Sequence, residues 1–96
     1  MRYLLVEDNA EVAKAITRYF RDKGNAIDHA ETLLAAEASL QVQSYDAIVL
    51  DLNMPDGNGL DLLTRLRRGA SPIPVLILSV NHAVETRLKG FDMGAD

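Results

Sequence analysis

The sequence predicts an α/β fold, a doubly wound parallel sheet with helices on both faces. Two observations predict it. Apolar runs alternate with helix-spaced segments, strand then helix, four times over. Three of those runs, in "RYLLVED", "DAIVLDL" and "VLILSV", are nearly continuous in apolar residues instead of alternating with polar ones. Strands of that kind are buried on both faces, which requires helices above and below them. Each crossover is then right-handed.

The elements follow in order. "RYLLVED" is a short strand ending in two acids. "NAEVAKAITRYFRDKG" has helical spacing, with Val12, Ile16, Tyr19 and Phe20 on one face, Asn9 as N-cap and Gly24 as stop. "AIDHA" reads as a weaker second strand. "TLLAAEASLQVQ" reads as a second helix opening near Glu31 or Thr32. "DAIVLDL" is the third strand. "NGLDLLTRLRR" is a third helix, capped by Asn58, with Leu60, Leu63 and Leu66 inward. Pro72 and Pro74 break the chain before "VLILSV", the fourth strand. Pro74 suits a strand's first position, where a missing N–H costs little. "HAVETRLKGFDMG" is a fourth helix, with Val84, Leu88 and Phe91 on one face.

Composition narrows the function. The chain has 96 residues, room for one domain with a modest core. Hydrophobic residues make up 48%, a globular composition. With no cysteine, a disulfide scaffold and a thiolate metal site are both excluded. No apolar run is long enough to cross a bilayer, and acids interrupt the N-terminal run too early for a signal peptide. A cytoplasmic protein without a membrane partner is expected. The net charge of −4 argues against direct nucleic-acid binding by this segment. The densest basic cluster, Arg65, Arg67 and Arg68, falls at a helix end, where cations favour the dipole.

Ligands of an open parallel sheet bind beyond the carboxyl ends of its strands. Glu7 and Asp8 end the first strand here, Asp51 ends the third with Asn53 just after it, and Ser79 ends the fourth. Acids at a polar rim are unremarkable one by one. Three strongly apolar strands that all end this way form a constellation. Clustered carboxylates take up protons or hold a cation. Oxygen-only ligands, few in number, suit Mg2+ better than Ca2+, and without His or Cys they do not suit Zn2+. His29 lies on another strand and His82 opens the fourth helix, so neither is read as a ligand. A metal-held carboxylate beside a nucleophilic one suits phosphoryl transfer, in which Asp51 attacks in line and becomes an acyl phosphate. Ser79 is placed to donate its hydroxyl to a phosphoryl oxygen, and the added charge biases a two-state element.

The blocks "LLVEDN", "IVLDLNMPDGNGLDLL", "PVLILS" and "GFDMGAD", in register along nearly the whole chain, resemble the receiver domain of bacterial response regulators. The resemblance implies a flavodoxin-like sheet of strand order 2-1-3-4. It implies Asp51 as phosphoacceptor, with a histidine kinase as donor. It implies Mg2+ at Glu7, Asp8, Asp51 and the Asn53 carbonyl, with Asp8 the more direct acidic ligand, and Ser79 as switch hydroxyl. Pro55 and Gly57 match the turn that shapes the loop. "GFDMGAD" is similar to receivers joined to a winged-helix domain, so any contact with DNA is expected through a domain outside this chain.

Two departures stand out. Val80 follows the switch hydroxyl where family members often carry a very small residue. The family's fifth strand, with its lysine and switch aromatic, and its fifth helix fall beyond Asp96. Residues 1–96 are therefore expected to be a receiver incomplete at its C-terminal end. An open fourth-strand edge and a partly uncovered face at Val12, Ile16 or Phe20 then predict self-association. The chain is read as a regulatory switch and not an enzyme. A dehalogenase-type phosphatase requires a second Asp two residues after the nucleophile, where this chain has Asn53. A nucleotide-binding fold lacks its glycine-rich fingerprint. The alternative is a receiver-like interaction module that is never phosphorylated.

Overall fold

The computed structural model describes residues 1–78. The expected fourth helix, the Ser79 hydroxyl expected to act as a switch, and Val80 lie outside the described residues. The first apolar run forms β1 (Arg2–Val6), and α1 (Ala10–Asp22) follows. Next come β2 (Ala26–Ala30), α2 (Leu33–Val42) and β3 (Ala47–Asp51). A small hairpin, β4 (Asn53–Met54) and β5 (Gly57–Asn58), leads into α3 (Gly59–Arg68), and β6 (Val75–Leu78) completes the described elements. The main sheet has the order β2-β1-β3-β6 with parallel pairing throughout. This is the expected order 2-1-3-4, with β6 as the fourth strand.

Strand alternation divides the core in two. Leu4, Val6, Ile48, Leu50 and Val75 point to one face and pack with Leu33 and Ala36 of α2 and Leu60, Leu62 and Leu63 of α3. Leu5, Ile27 and Val49 point to the other face and pack with Ala13, Ile16 and Phe20 of α1. Among the described residues, one helix thus covers one face and two cover the other, so the sheet is doubly wound. β6 departs from the expected burial on both sides. Val75 is buried, but Leu76 is 51% exposed.

Helix boundaries follow local chemistry. The Asn9 side chain accepts from the N–H groups of Glu11 and Val12, and Gly24 takes a φ of +83° just past α1. Thr32 caps α2 and Asn58 caps α3. One inward face is corrected. Tyr19 is exposed, its ring edge-on to Phe20 and lying under the Lys23 ammonium, while the small Ala13 is buried instead. At 3.6 residues per turn, 13, 16 and 20 form the centre of the apolar stripe and 19 its margin. In α3, Leu60 and Leu63 are buried and Leu66 packs half-buried against the same core, as expected, and Leu62 is buried beside them. The start of this helix is embedded in the core, so its buried arc is wider than one stripe.

The basic cluster serves the helix end, as charge and dipole suggest. Arg65 pairs with Glu37 of α2, and Arg67 donates to the carbonyls of Ser71 and Ile73 beyond α3. Among the described residues no helix is long and apolar enough to cross a membrane.

Candidate phosphoacceptor and metal site

β1 and β3 are parallel neighbours with Val6 opposite Leu50. Glu7 and Asp51, the next residues on each chain, therefore emerge side by side at the carboxyl rim. Asp8 joins them, and carboxylate oxygens of Glu7, Asp8 and Asp51 all lie within 4.8 Å of one another. The acids differ in setting: Glu7 is buried, Asp51 half-buried and Asp8 exposed.

Each part of the rim is held by backbone. The Glu7 N–H donates to the Ala30 carbonyl at 3.0 Å, which continues the β1–β2 ladder past its last pair. The Glu7 carboxylate accepts from the Asn9 N–H at 3.1 Å. His29 Nε2 lies 2.7 Å from the Glu7 carbonyl oxygen. A carbonyl only accepts, so that nitrogen carries the proton. His29 thus supports the acid loop through Nε2 and stands outside the three-carboxylate cluster, a role that sequence spacing does not reveal. Asp51 Oδ1 accepts from the Asn53 N–H at 3.1 Å, which fixes the Asp51 carboxylate to the loop that follows it.

Burial pushes the Glu7 carboxyl up to about 7; the Asn9 N–H acts the other way, and the carboxylates of Asp51 and Asp8 push it further up. A carboxylate buried against two others without neutralisation is unfavourable, and a proton or a cation relieves it. The donor set is three carboxylates with no nitrogen or sulfur, so a hard divalent ion fits it. Mg2+ held there would neutralise charge on incoming phosphoryl oxygens.

The loop behind Asp51 is tightly built. Leu52 and Met54 are buried, and the Gly59 N–H donates to the Leu52 carbonyl at 2.9 Å. A Cβ on Gly59 would lie 2.5 Å from the Asp51 carbonyl oxygen, so no side chain fits at the start of α3. At the tip, Asp56 accepts from the N–H groups of Leu33 and Leu34 on α2 at 2.8 and 3.0 Å. Those two hydrogen bonds hold its carboxyl below the usual carboxylate range. Gly59 and Asp56 are site-shaping residues that sequence reasoning missed. Gly59 stood in plain view within "DGNG"; the partner of Asp56 is far along the chain and has no local signal.

Glu7, Asp8, Asp51 and Asn53 are thus brought to one rim, and Ser79 lies outside the described residues. A parallel sheet with acids converging at its carboxyl edge defines a class, and comparison with known families agrees. The chain belongs to the response regulator receiver domain family, whose model matches residues 3–96. It is 42% identical over its whole length to the transcriptional regulatory protein TctD of Salmonella typhimurium, of which it covers 43%. It is 36% identical to the transcriptional regulatory protein BasR of Escherichia coli, again over all of this chain and 43% of the relative. The chain therefore spans less than half the length of these curated relatives. Among solved structures, the receiver domain of Francisella response regulator 1452 superposes with a TM-score of 0.92 at 30% identity, covering 99% of this chain and 78% of that one.

Proposed function

We propose that this receiver domain is a phosphoacceptor switch. Asp51 takes a phosphoryl group from the phosphohistidine of a histidine kinase. One Asp51 carboxylate oxygen forms the new bond to phosphorus as the bond from phosphorus to the imidazole nitrogen breaks, and the electron pair leaves with the imidazole. Glu7, Asp8, Asp51 and the Asn53 carbonyl hold Mg2+, and the Ser79 hydroxyl donates to a phosphoryl oxygen after transfer. The observation that carries this reading is the convergence of Glu7, Asp8 and Asp51 carboxylates within 4.8 Å. The Asn53 N–H on Asp51 supports it by fixing the nucleophile's orientation.

The signal passes to an output domain outside this chain, which binds DNA and regulates transcription in the cytoplasm. Support comes from the relatives, named as transcriptional regulators and more than twice as long as this chain. Self-association is part of the same reading. Ile16, Tyr19, Phe20, Val49, Leu76 and Leu78 line an apolar groove, and among the described residues β6 pairs only with β3. A second copy is the occupant proposed for that groove. Sedimentation should show a dimer at high concentration, and a monomer throughout contradicts this part.

Calorimetric titration tests the metal site. Wild-type protein should bind one Mg2+ per chain, and Glu7→Gln, Asp8→Asn and Asp51→Asn should each weaken binding by roughly tenfold or more. Wild-type affinity in all three variants overturns the site.

A further inference from the structure

We propose that Asp56 is a positioning residue, a clamp that ties the phosphoacceptor loop to the N-terminus of α2 and so sets the Asn53 backbone beside Asp51. The proposal rests on the reading of Asp51 as phosphoacceptor and extends it to a residue outside the acidic cluster.

The N-terminus of α2 is completed from two segments. The Thr32 side chain accepts from the Ala35 N–H at 3.0 Å, and the Thr32 carbonyl accepts from the Ala36 N–H at 3.0 Å. The two earlier donors, Leu33 and Leu34, are left for an outside partner, since a helix cannot satisfy its own first N–H groups. Asp56 supplies one carboxylate oxygen to each. The first turn of α2 has no acid of its own, so Asp56 also brings the negative charge that a helix N-terminus favours.

The clamp has a steric half as well. Leu33 is buried, and its Cδ1 would lie 3.2 Å from a Cβ on Gly57. Gly57 has a φ of +149°, which favours glycine. The first residue of α2 therefore grips the loop tip through its backbone at Asp56 and its side chain at Gly57.

The hairpin carries that grip to the site. Met54 pairs with Gly57 and Asn53 with Asn58, so the tip and the Asn53 backbone are joined by a two-rung ladder. Asn53 in turn donates its N–H to Asp51 Oδ1. Releasing the tip loosens the Asn53 N–H that orients the nucleophile and the Asn53 carbonyl proposed for the metal. The Thr32 side chain caps the same helix through the Ala35 N–H and not through a hydrogen bond to the loop. That difference separates positioning from simple helix stabilisation.

The test compares wild type, Asp56→Ala, Asp56→Asn and Thr32→Ala by two measurements: amide hydrogen exchange at Asn53 in metal-free protein, and calorimetric affinity for Mg2+ alone. Asp56→Ala should speed Asn53 exchange and weaken Mg2+ binding roughly tenfold, the low end of outer-shell effects. Asp56→Asn keeps one acceptor oxygen and should fall between, which serves also if the alanine variant does not fold. Thr32→Ala should lower stability but leave both readouts at wild-type values. Wild-type exchange and affinity in both Asp56 variants overturn the clamp, and so does an equal change in Thr32→Ala. A wild type that binds no Mg2+ overturns the phosphoacceptor reading and the clamp's role with it, and the wild-type arm alone reveals that case.

Discussion

Single residues set the tolerances of the site. Gly59 is the sharpest case, because its missing side chain lets α3 start against the Asp51 carbonyl. Gly59→Ala forces the helix or the β3 end to shift, at a cost of about 1–3 kcal/mol, typical of overpacking. Urea unfolding should register that loss, and an unchanged midpoint contradicts the close approach. Ala70 presents the reverse situation. It holds a φ of 61°, the left-handed region, just past α3, while the glycine sits one residue earlier as C-cap. The turn is closed by Ala70 N–H to the Arg67 carbonyl and Ser71 N–H to the Leu66 carbonyl. Ala70→Gly should relieve the left-handed strain and stabilise the protein by roughly 0.5–1 kcal/mol after the extra unfolded-state entropy of glycine is counted.

At the scale of elements, the end of the sheet away from the acids is tied by a polar network. Arg2 of β1 pairs with Asp28 of β2 at 3.0 Å, and the Tyr45 hydroxyl donates to the same carboxylate at 2.6 Å. The Tyr45 bond, then Arg2, hold the Asp28 carboxyl below its ordinary range, against the opposing effect of burial. A depressed carboxyl stabilises the fold above its unfolded-state pKa and loses that contribution as pH falls through its folded value. The loss therefore belongs to the acid side, below about pH 4. Tyr45→Phe should cost about 0.5–1 kcal/mol at neutral pH, the screened range for a half-exposed pair, and should make the stability profile shallower in acid. An acid slope identical to wild type contradicts that assignment.

The same scale shows what a sequence can reveal. Asn9 and Asn58 were legible as caps because one side-chain oxygen before an apolar run is a local signal, whereas the start of α2 was read as either Glu31 or Thr32 and Thr32 is the cap. The four strand positions were legible because each is an apolar or alternating run bounded by breakers. The hairpin of β4 and β5 was not, since two-residue strands have no periodicity. "MPDG" shows a turn but not the ladder around it. Tyr19 was misplaced because an aromatic ring at the margin of a stripe can rest on its own helix, against Phe20 and Lys23. The partner of Asp56 was illegible for another reason: it depends on where α2 starts in space.

At the scale of the whole molecule, topology makes the site. Acids at strand ends were readable one by one, but their meeting depends on β1 lying between β2 and β3. That order brings Glu7 level with Asp51 and lets His29 and Ala30 of β2 support the Glu7 backbone from the other side. The residues alone do not specify the neighbour order; the motif resemblance implied it, and the sheet has it. The proposed function sits at the rim where rigid strands deliver carboxylates to a shared space. The most direct test of this account is intact mass after incubation with a small-molecule phosphodonor, with and without Mg2+, in wild type and Asp51→Asn. One added phosphoryl group that requires both Mg2+ and Asp51 is the predicted result. No addition to the wild type, or an addition that survives Asp51→Asn, contradicts it.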